Sequence, residues 1–212
     1  MKTIAVTLSL LLAGCASNPP APDWQGNAYS ALDSFTSTYL KGNTRIAAAD
    51  FARARGAISS TGRADLLARA ELVRCAVRVA SLEFDDCAGY QPIAADAAQA
   101  ERSYAAYLTA RWQDVDVALL PIQHRVMLGS SATPVRSIDD PLARLIAAGV
   151  LLQAGRLTLA DMVSATDTAS EQGWRRPLLA WLGVQLKSAQ EAGDTEAMKR
   201  LQRRIEFAST SL

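Results

Sequence analysis

The chain is poor in the residues that most enzyme chemistry needs. It has one histidine, His124, and three cysteines in 212 residues. That set does not match any zinc-ligand spacing. A Ser-His-Asp site would have to use His124, and no G-x-S-x-G turn accompanies it. In "PIQHRVM" it reads instead as a surface or hydrogen-bonded structural histidine. No glycine-rich phosphate loop occurs, and the 12 glycines mostly stand where helices should stop. Neither charge sign dominates: 22 Lys and Arg stand against 21 Asp and Glu. There is therefore no basic field to recruit nucleic acid. Aromatic residues make up only 6% and β-branched runs are scarce, whereas alanine is frequent. That balance favours helix over sheet.

The clearest signal lies at the start. Lys2 gives a positive charge, and an apolar run of about ten residues extends from Ile4 to Gly14. It falls well short of the roughly 20 residues that span a bilayer as a helix, and fits the core of a secretory signal. It ends in Leu12-Ala13-Gly14-Cys15. This motif resembles the lipobox of bacterial lipoproteins, and the resemblance covers residues 1–15. It implies that residues 1–14 are removed and that Cys15 is lipidated on its thiol and then on its new amino group. Several acyl chains would hold the protein on a membrane without a transmembrane helix. Residue Ala16, rather than aspartate, follows the cysteine. By the same resemblance this implies the outer membrane, facing the periplasm. "SNPPAPD" then reads as an extended proline-rich tether. The expected organisation is a signal at 1–14, a lipidated tether at 15–26 and one domain at 27–212.

Within that domain one helical pattern follows another. Segments 27–40, 43–58 and 62–84 read as helices, the second with Asn43 as N-cap. In 62–84 the charges fall on two sides, Arg63, Glu71, Arg74 and Arg78 on one and Asp65 and Arg69 on another, with two apolar stripes between them, so the helix should pack between neighbours. Tyr104, Tyr107, Leu108, Trp112, Val115 and Leu119 recur at spacings of three and four. They predict one long helix over 93–120, ended by Pro121. Asp140-Pro141 reads as an N-cap and first helical residue, and Thr158 with Asp161 as a capping box. Helices ending at Gly155 and Gly193 and a last one from Asp194 complete the pattern. The last carries Met198, Leu201, Ile205 and Ala208 on one face. Short loops favour antiparallel neighbours. The expectation is an all-α domain of seven to eight helices packed as antiparallel hairpins. The final pair loosely resembles a tetratricopeptide hairpin through Trp181, Leu182-Gly183, Gly193-Asp194 and Ala197, although its glycine spacing departs from that repeat and no second copy is in register.

With Cys15 assigned to lipid, Cys75 and Cys87 remain. An envelope compartment outside the inner membrane is oxidising enough for a disulfide. The helix carries the chain about 10 Å past Cys75, and the residues from Leu82 to Cys87 can return about 16 Å. Closure is possible if the chain reverses at "EFDD". Burial of Cys75 as a free thiol beside Ala68, Leu72 and Val79 is the competing reading.

The remaining candidates have ordinary explanations beside functional ones. Asp85-Asp86 sits at a helix end and should face solvent in a turn; Asp139-Asp140 has its capping role. Lys199, Arg200, Arg203 and Arg204 could meet anionic lipid or an acidic partner. They equally form a solvated face with a Glu196–Arg200 pair. Trp174, Arg175 and Arg176 could anchor an interface or simply open a helix. No cofactor is implied. The sequence is expected to belong to a non-catalytic envelope lipoprotein, held by membrane lipid through Cys15 and binding another envelope protein. A hydrolase or carbohydrate-active enzyme would need a cleft that gathers carboxylates. A carrier of an apolar ligand would need a sizeable apolar pocket.

Overall fold

A computed structural model describes residues 22–128 and 134–210. Residues 1–21, which carry the lipobox and Cys15, lie outside the described residues. The described residues form α1 (Asp23–Leu40), α2 (Thr44–Ser59), α3 (Ala64–Ala80), α4 (Gln99–Leu108), α5 (Ile122–Arg125), α6 (Pro141–Gln153), α7 (Leu159–Glu171), α8 (Arg175–Glu191) and α9 (Thr195–Ser209). Short 3₁₀ helices of one or two turns lie between α3 and α6, and there is no strand among the described residues. The fold is all-α, with slightly more helices than the seven to eight expected.

α1 and α2 pair as a hairpin, and α6 to α9 follow one another as successive neighbours. α3 stands at the centre and touches α1, α2, α4 and α6. The principal core joins α3, α4, α6 and α7 around Leu72, Tyr107, Leu108, Leu145 and Val150, with Trp181 of α8 inserted from the side. The Trp181 indole N–H donates to the Ala80 carbonyl at 3.2 Å, satisfying a buried polar group at the end of α3. Leu182, Ala189 and Leu201 form a separate small core between α8 and α9, with Met198 and Ile205 beside them, as the last helix's periodicity predicts.

Caps behave as the sequence indicates in two places and not in a third. The Asp140 carboxylate accepts from Ala143 N at 2.6 Å at the start of α6. Thr158 and Asp161 form the expected reciprocal capping box of α7. Asp161 also accepts from Val135 N at 3.0 Å, tying the segment before α6 to α7. The Asn43 side chain makes no capping bond, although its N–H helps to close α1 by donating to Thr38 O at 2.8 Å.

Two boundaries differ from expectation. α1 begins at Asp23, not after residue 26. Asp23 places an acid in the first turn, and Pro22 supplies the extended residue before it. Residues 23–26, expected to belong to the tether, are therefore helical.

The long helix expected over 93–120 is broken. Ala97 and Ala98 are extended, so α4 starts only at Gln99. It stops at Leu108, where Ala110 turns into a left-handed conformation at φ 54°. The reason is tertiary. Gln153 on α6 donates to the freed Leu108 carbonyl at 2.9 Å. The chain then folds back so that Ser103 Oγ bonds both the carbonyl and the N–H of Asp116, each at 2.9 Å. Trp112 thereby meets Tyr107 edge-on at 6.2 Å between ring centres, a contact that residues five apart on one helix cannot make.

Cys75 and Cys87 form a disulfide across a Cα separation of 5.1 Å. α3 ends two residues sooner than the closure argument assumed, and Leu82 reverses the chain at φ 60°. Both cysteines are buried in the principal core. The side of α3 read as charged is partly internal as well. Glu71 is fully buried, paired with Arg55 of α2 and, at 2.8 Å, with Arg74. Gly89 permits this arrangement, since a Cβ there would stand 2.2 Å from Glu71 Oε2.

The backbones of α3 and α6 approach closely. A Cβ on Gly149 would stand 2.4 Å from the Val79 carbonyl oxygen. Gly149→Ala is therefore expected to destabilise by about 2 kcal/mol or more. Gly183 lies exposed in α8 with no atom near, so Gly183→Ala should stabilise by up to about 1 kcal/mol. Urea unfolding of the two variants checks this opposite pair of signs. Replacing Cys75 and Cys87 by alanine should cost on the order of 3 kcal/mol by the chain-entropy account. Dithiothreitol should lower wild-type stability by a similar amount and leave that double variant unmoved.

Candidate functional site

A predominantly apolar depression in the surface lies between α3, α4 and the segment from Leu119 to Arg125. Its volume is about 380 Å³. Leu72 and Val73 come from α3, Ala100 and Tyr104 from α4, and Leu119 to Ile122 close the third side. The break in the expected long helix creates this groove: an uninterrupted helix to Leu120 would carry Leu119 away from α3 rather than back across it. Pro121 opens α5 as its N-cap, and Arg125 secures the return by donating from Nε to the Leu120 carbonyl at 2.8 Å.

Three charged groups border the groove. Arg69 donates from Nε and Nη2 to a single oxygen of Glu101, at 2.9 and 2.7 Å. Glu101 is buried, whereas the Arg69 side chain is 68% exposed. The second Glu101 oxygen is enclosed without a hydrogen-bond donor among the described residues. Arg125 is exposed and has no carboxylate partner among the described residues. Burial pushes the Tyr104 phenol well up, so it lines the groove as a neutral hydroxyl.

Behind Tyr104 lies His124, only 1% exposed. Their rings stack at 5.8 Å between centres, and His124 Nδ1 is 3.2 Å from the Tyr107 hydroxyl. His124 is thus the hydrogen-bonded structural histidine of the two readings, not a surface one. Burial holds its imidazole down to about 4, with the Asp140 charge opposing only in part. It is neutral and does not line the groove.

The paired acids Asp85-Asp86 and Asp139-Asp140 do not line this groove. Asp85 pairs with Arg78 at 3.4 Å, and Asp86 is exposed in the turn. Asp140 caps α6 while Asp139 faces outward. No group of three His, Cys, Asp or Glu residues is placed to hold a metal ion among the described residues. The groove therefore offers apolar contact and charge, but no paired nucleophile and base.

The two basic candidates separate. Arg176 is consumed inside the molecule: it donates to Tyr39 O at 2.9 Å, to Glu83 Oε1 at 3.0 Å and to Thr44 Oγ1 at 2.6 Å, and stacks 4.2 Å over the Tyr39 ring. Trp174 is half-buried between the principal core and the α1–α2 core, and Arg175 lies against Gly42. These three residues clasp the first hairpin to α8. Arg200, Arg203 and Arg204 are exposed on α9. Glu196 pairs with Lys199 at 3.1 Å, not with Arg200 as expected. The lysine reaches it across one turn.

The sequence places Arg69 on a charged side of its helix but marks neither it, Glu101 nor Arg125 as part of a site. Only the tertiary return at Pro121 brings them to one mouth. No family model matches the chain, and no curated protein or solved structure matches it.

The sign of the His124 contribution follows from its neutral burial. The unfolded chain takes up a proton near 6.5 that the fold refuses until about 4. Stability is full above the first value and falls as pH drops through this window, by roughly 3 kcal/mol in total. Urea midpoints measured between pH 7 and 4 should fall more steeply in wild type than in His124→Gln.

Proposed function

We propose that the protein is an envelope lipoprotein, anchored by acylated Cys15 to the outer membrane and facing the periplasm, that serves as a non-catalytic accessory to another envelope component. The use of the cysteines carries this reading. Two of the three form a buried disulfide, which suits an oxidising compartment, and the third ends the Leu12-Ala13-Gly14-Cys15 motif. The start of α1 at Asp23 adds to it. From Ala16 to Pro22 the chain can reach at most roughly 25 Å, so the domain would stay close to the lipid surface. None of the helices among the described residues is long and apolar enough to cross a membrane.

A second reading, a carrier of an apolar ligand, is favoured by the groove between α3 and α4. The two are compatible: an anchored accessory protein would hold a ligand or hand it to its partner. An enzymatic role has less support, since the groove has one carboxylate, and Arg69 engages it.

Membrane fractionation tests the anchor. Wild type should sediment with membranes, and Cys15→Ser should leave them or persist as the uncleaved precursor. Equal membrane association and equal size of the two forms would refute it.

A further inference from the structure

We propose that the groove between α3, α4 and the Leu119–Arg125 segment binds a single-chain amphiphile, with its acyl chain on the groove floor and an anionic head on Arg125. The proposal deepens the carrier reading above and does not need Cys15 to be acylated.

The floor supplies the first half. Val73, Leu119 and Ile122 present aliphatic surface over the buried Leu72 and Leu120, and Ile122 at the mouth is 76% exposed. A large aliphatic side chain left in water beside an apolar depression marks a surface that gains from being covered. The volume of about 380 Å³ admits roughly a dozen chain atoms, at about 30 Å³ each. A hydrocarbon chain suits this floor better than a peptide. An entering peptide would need partners for its backbone N–H and C=O groups, and each left unpaired would be costly. The aliphatic lining gives it few, whereas an acyl chain asks for none.

Charge supplies the second half. Arg69 and Glu101 neutralise one another through two hydrogen bonds to one oxygen. Arg125 spends only its Nε on the Leu120 carbonyl. Its two terminal nitrogens have no protein partner among the described residues, and they stand at the mouth beside Ile122. One uncompensated guanidinium at the end of an aliphatic groove matches one carboxylate or phosphate at the end of an alkyl chain. The shared chemistry is the anionic head, from a fatty acid or from a phosphate monoester.

Calorimetric titration of the complete chain carrying Cys15→Ser tests this, with probes kept below their micelle concentrations. Laurate and dodecyl phosphate are the two anionic probes, and dodecyltrimethylammonium is the cationic control. Each buried methylene should tighten binding about fourfold, so laurate should bind on the order of 10²-fold tighter than octanoate. At least one anion should bind about tenfold tighter than the cation, and the tighter anion identifies the head group. Val73→Trp, which fills the groove from a half-buried position, should abolish binding. Arg125→Gln should remove the preference for anions while keeping the chain-length dependence. Circular dichroism and thermal midpoints confirm that each variant is folded. Absence of binding by both anions, equal binding of the cation in wild type, or undiminished binding by folded Val73→Trp would overturn the proposal. Because the test form lacks the acylation site, its result is independent of whether Cys15 anchors the protein.

Discussion

The close crossing of α3 and α6 governs the arrangement of the rest. Val79 O of α3 lies where a side chain on Gly149 of α6 would begin, so the two backbones meet with no side chain between them. That contact fixes the middle of α3, and each neighbouring element then takes its place against what remains. α1 and α2 occupy one flank, where Glu71 meets Arg55. α4 occupies another, where Arg69 reaches Glu101. At its end the Ala80 carbonyl receives Trp181, and the disulfide folds the following loop back onto Cys75. A helix surrounded in this way needs apolar residues on several faces, and its few charges must find partners inside.

The groove is a by-product of the same geometry. α6 receives the end of α4 through Gln153 and so stops that helix at Leu108. The chain then returns over α3 through short 3₁₀ turns and reaches Pro121 beside Leu72 and Val73. Aliphatic residues that would have lined one face of a longer helix instead form the third wall of an open depression. Behind Tyr104, the buried His124 and Tyr107 rings support that wall. A neutral, buried histidine fits this supporting role.

How much of this was legible in the sequence depends on the range of the interaction. Caps such as Asp140-Pro141 and the Thr158–Asp161 box are local, and the sequence states them directly. The disulfide was legible because only two cysteines remained once Cys15 was set aside, and the chain between them was long enough to close. The break at Leu108 was not. Tyr104, Tyr107, Trp112, Val115 and Leu119 satisfy helical spacing, and the residue that stops the helix, Gln153, is 45 positions away. Glu71 misled for a related reason. A charge on a helix reads as a solvent face, and its partner Arg55 belongs to a different helix. Arg176 looked available for an external partner because Tyr39, Thr44 and Glu83 are distant in sequence. The groove's charged rim, assembled from α3, α4 and α5, left no local trace at all.

The functional account rests on the division of the three cysteines between lipid and disulfide. The most direct test is the intact mass of the protein extracted from its native membranes, before and after reduction and alkylation. The account predicts a chain that begins at Cys15 and carries three acyl groups, with no alkylation before reduction and two alkyl groups after it. A chain retaining residues 1–14, an unmodified Cys15, or two thiols alkylated without reduction would contradict it.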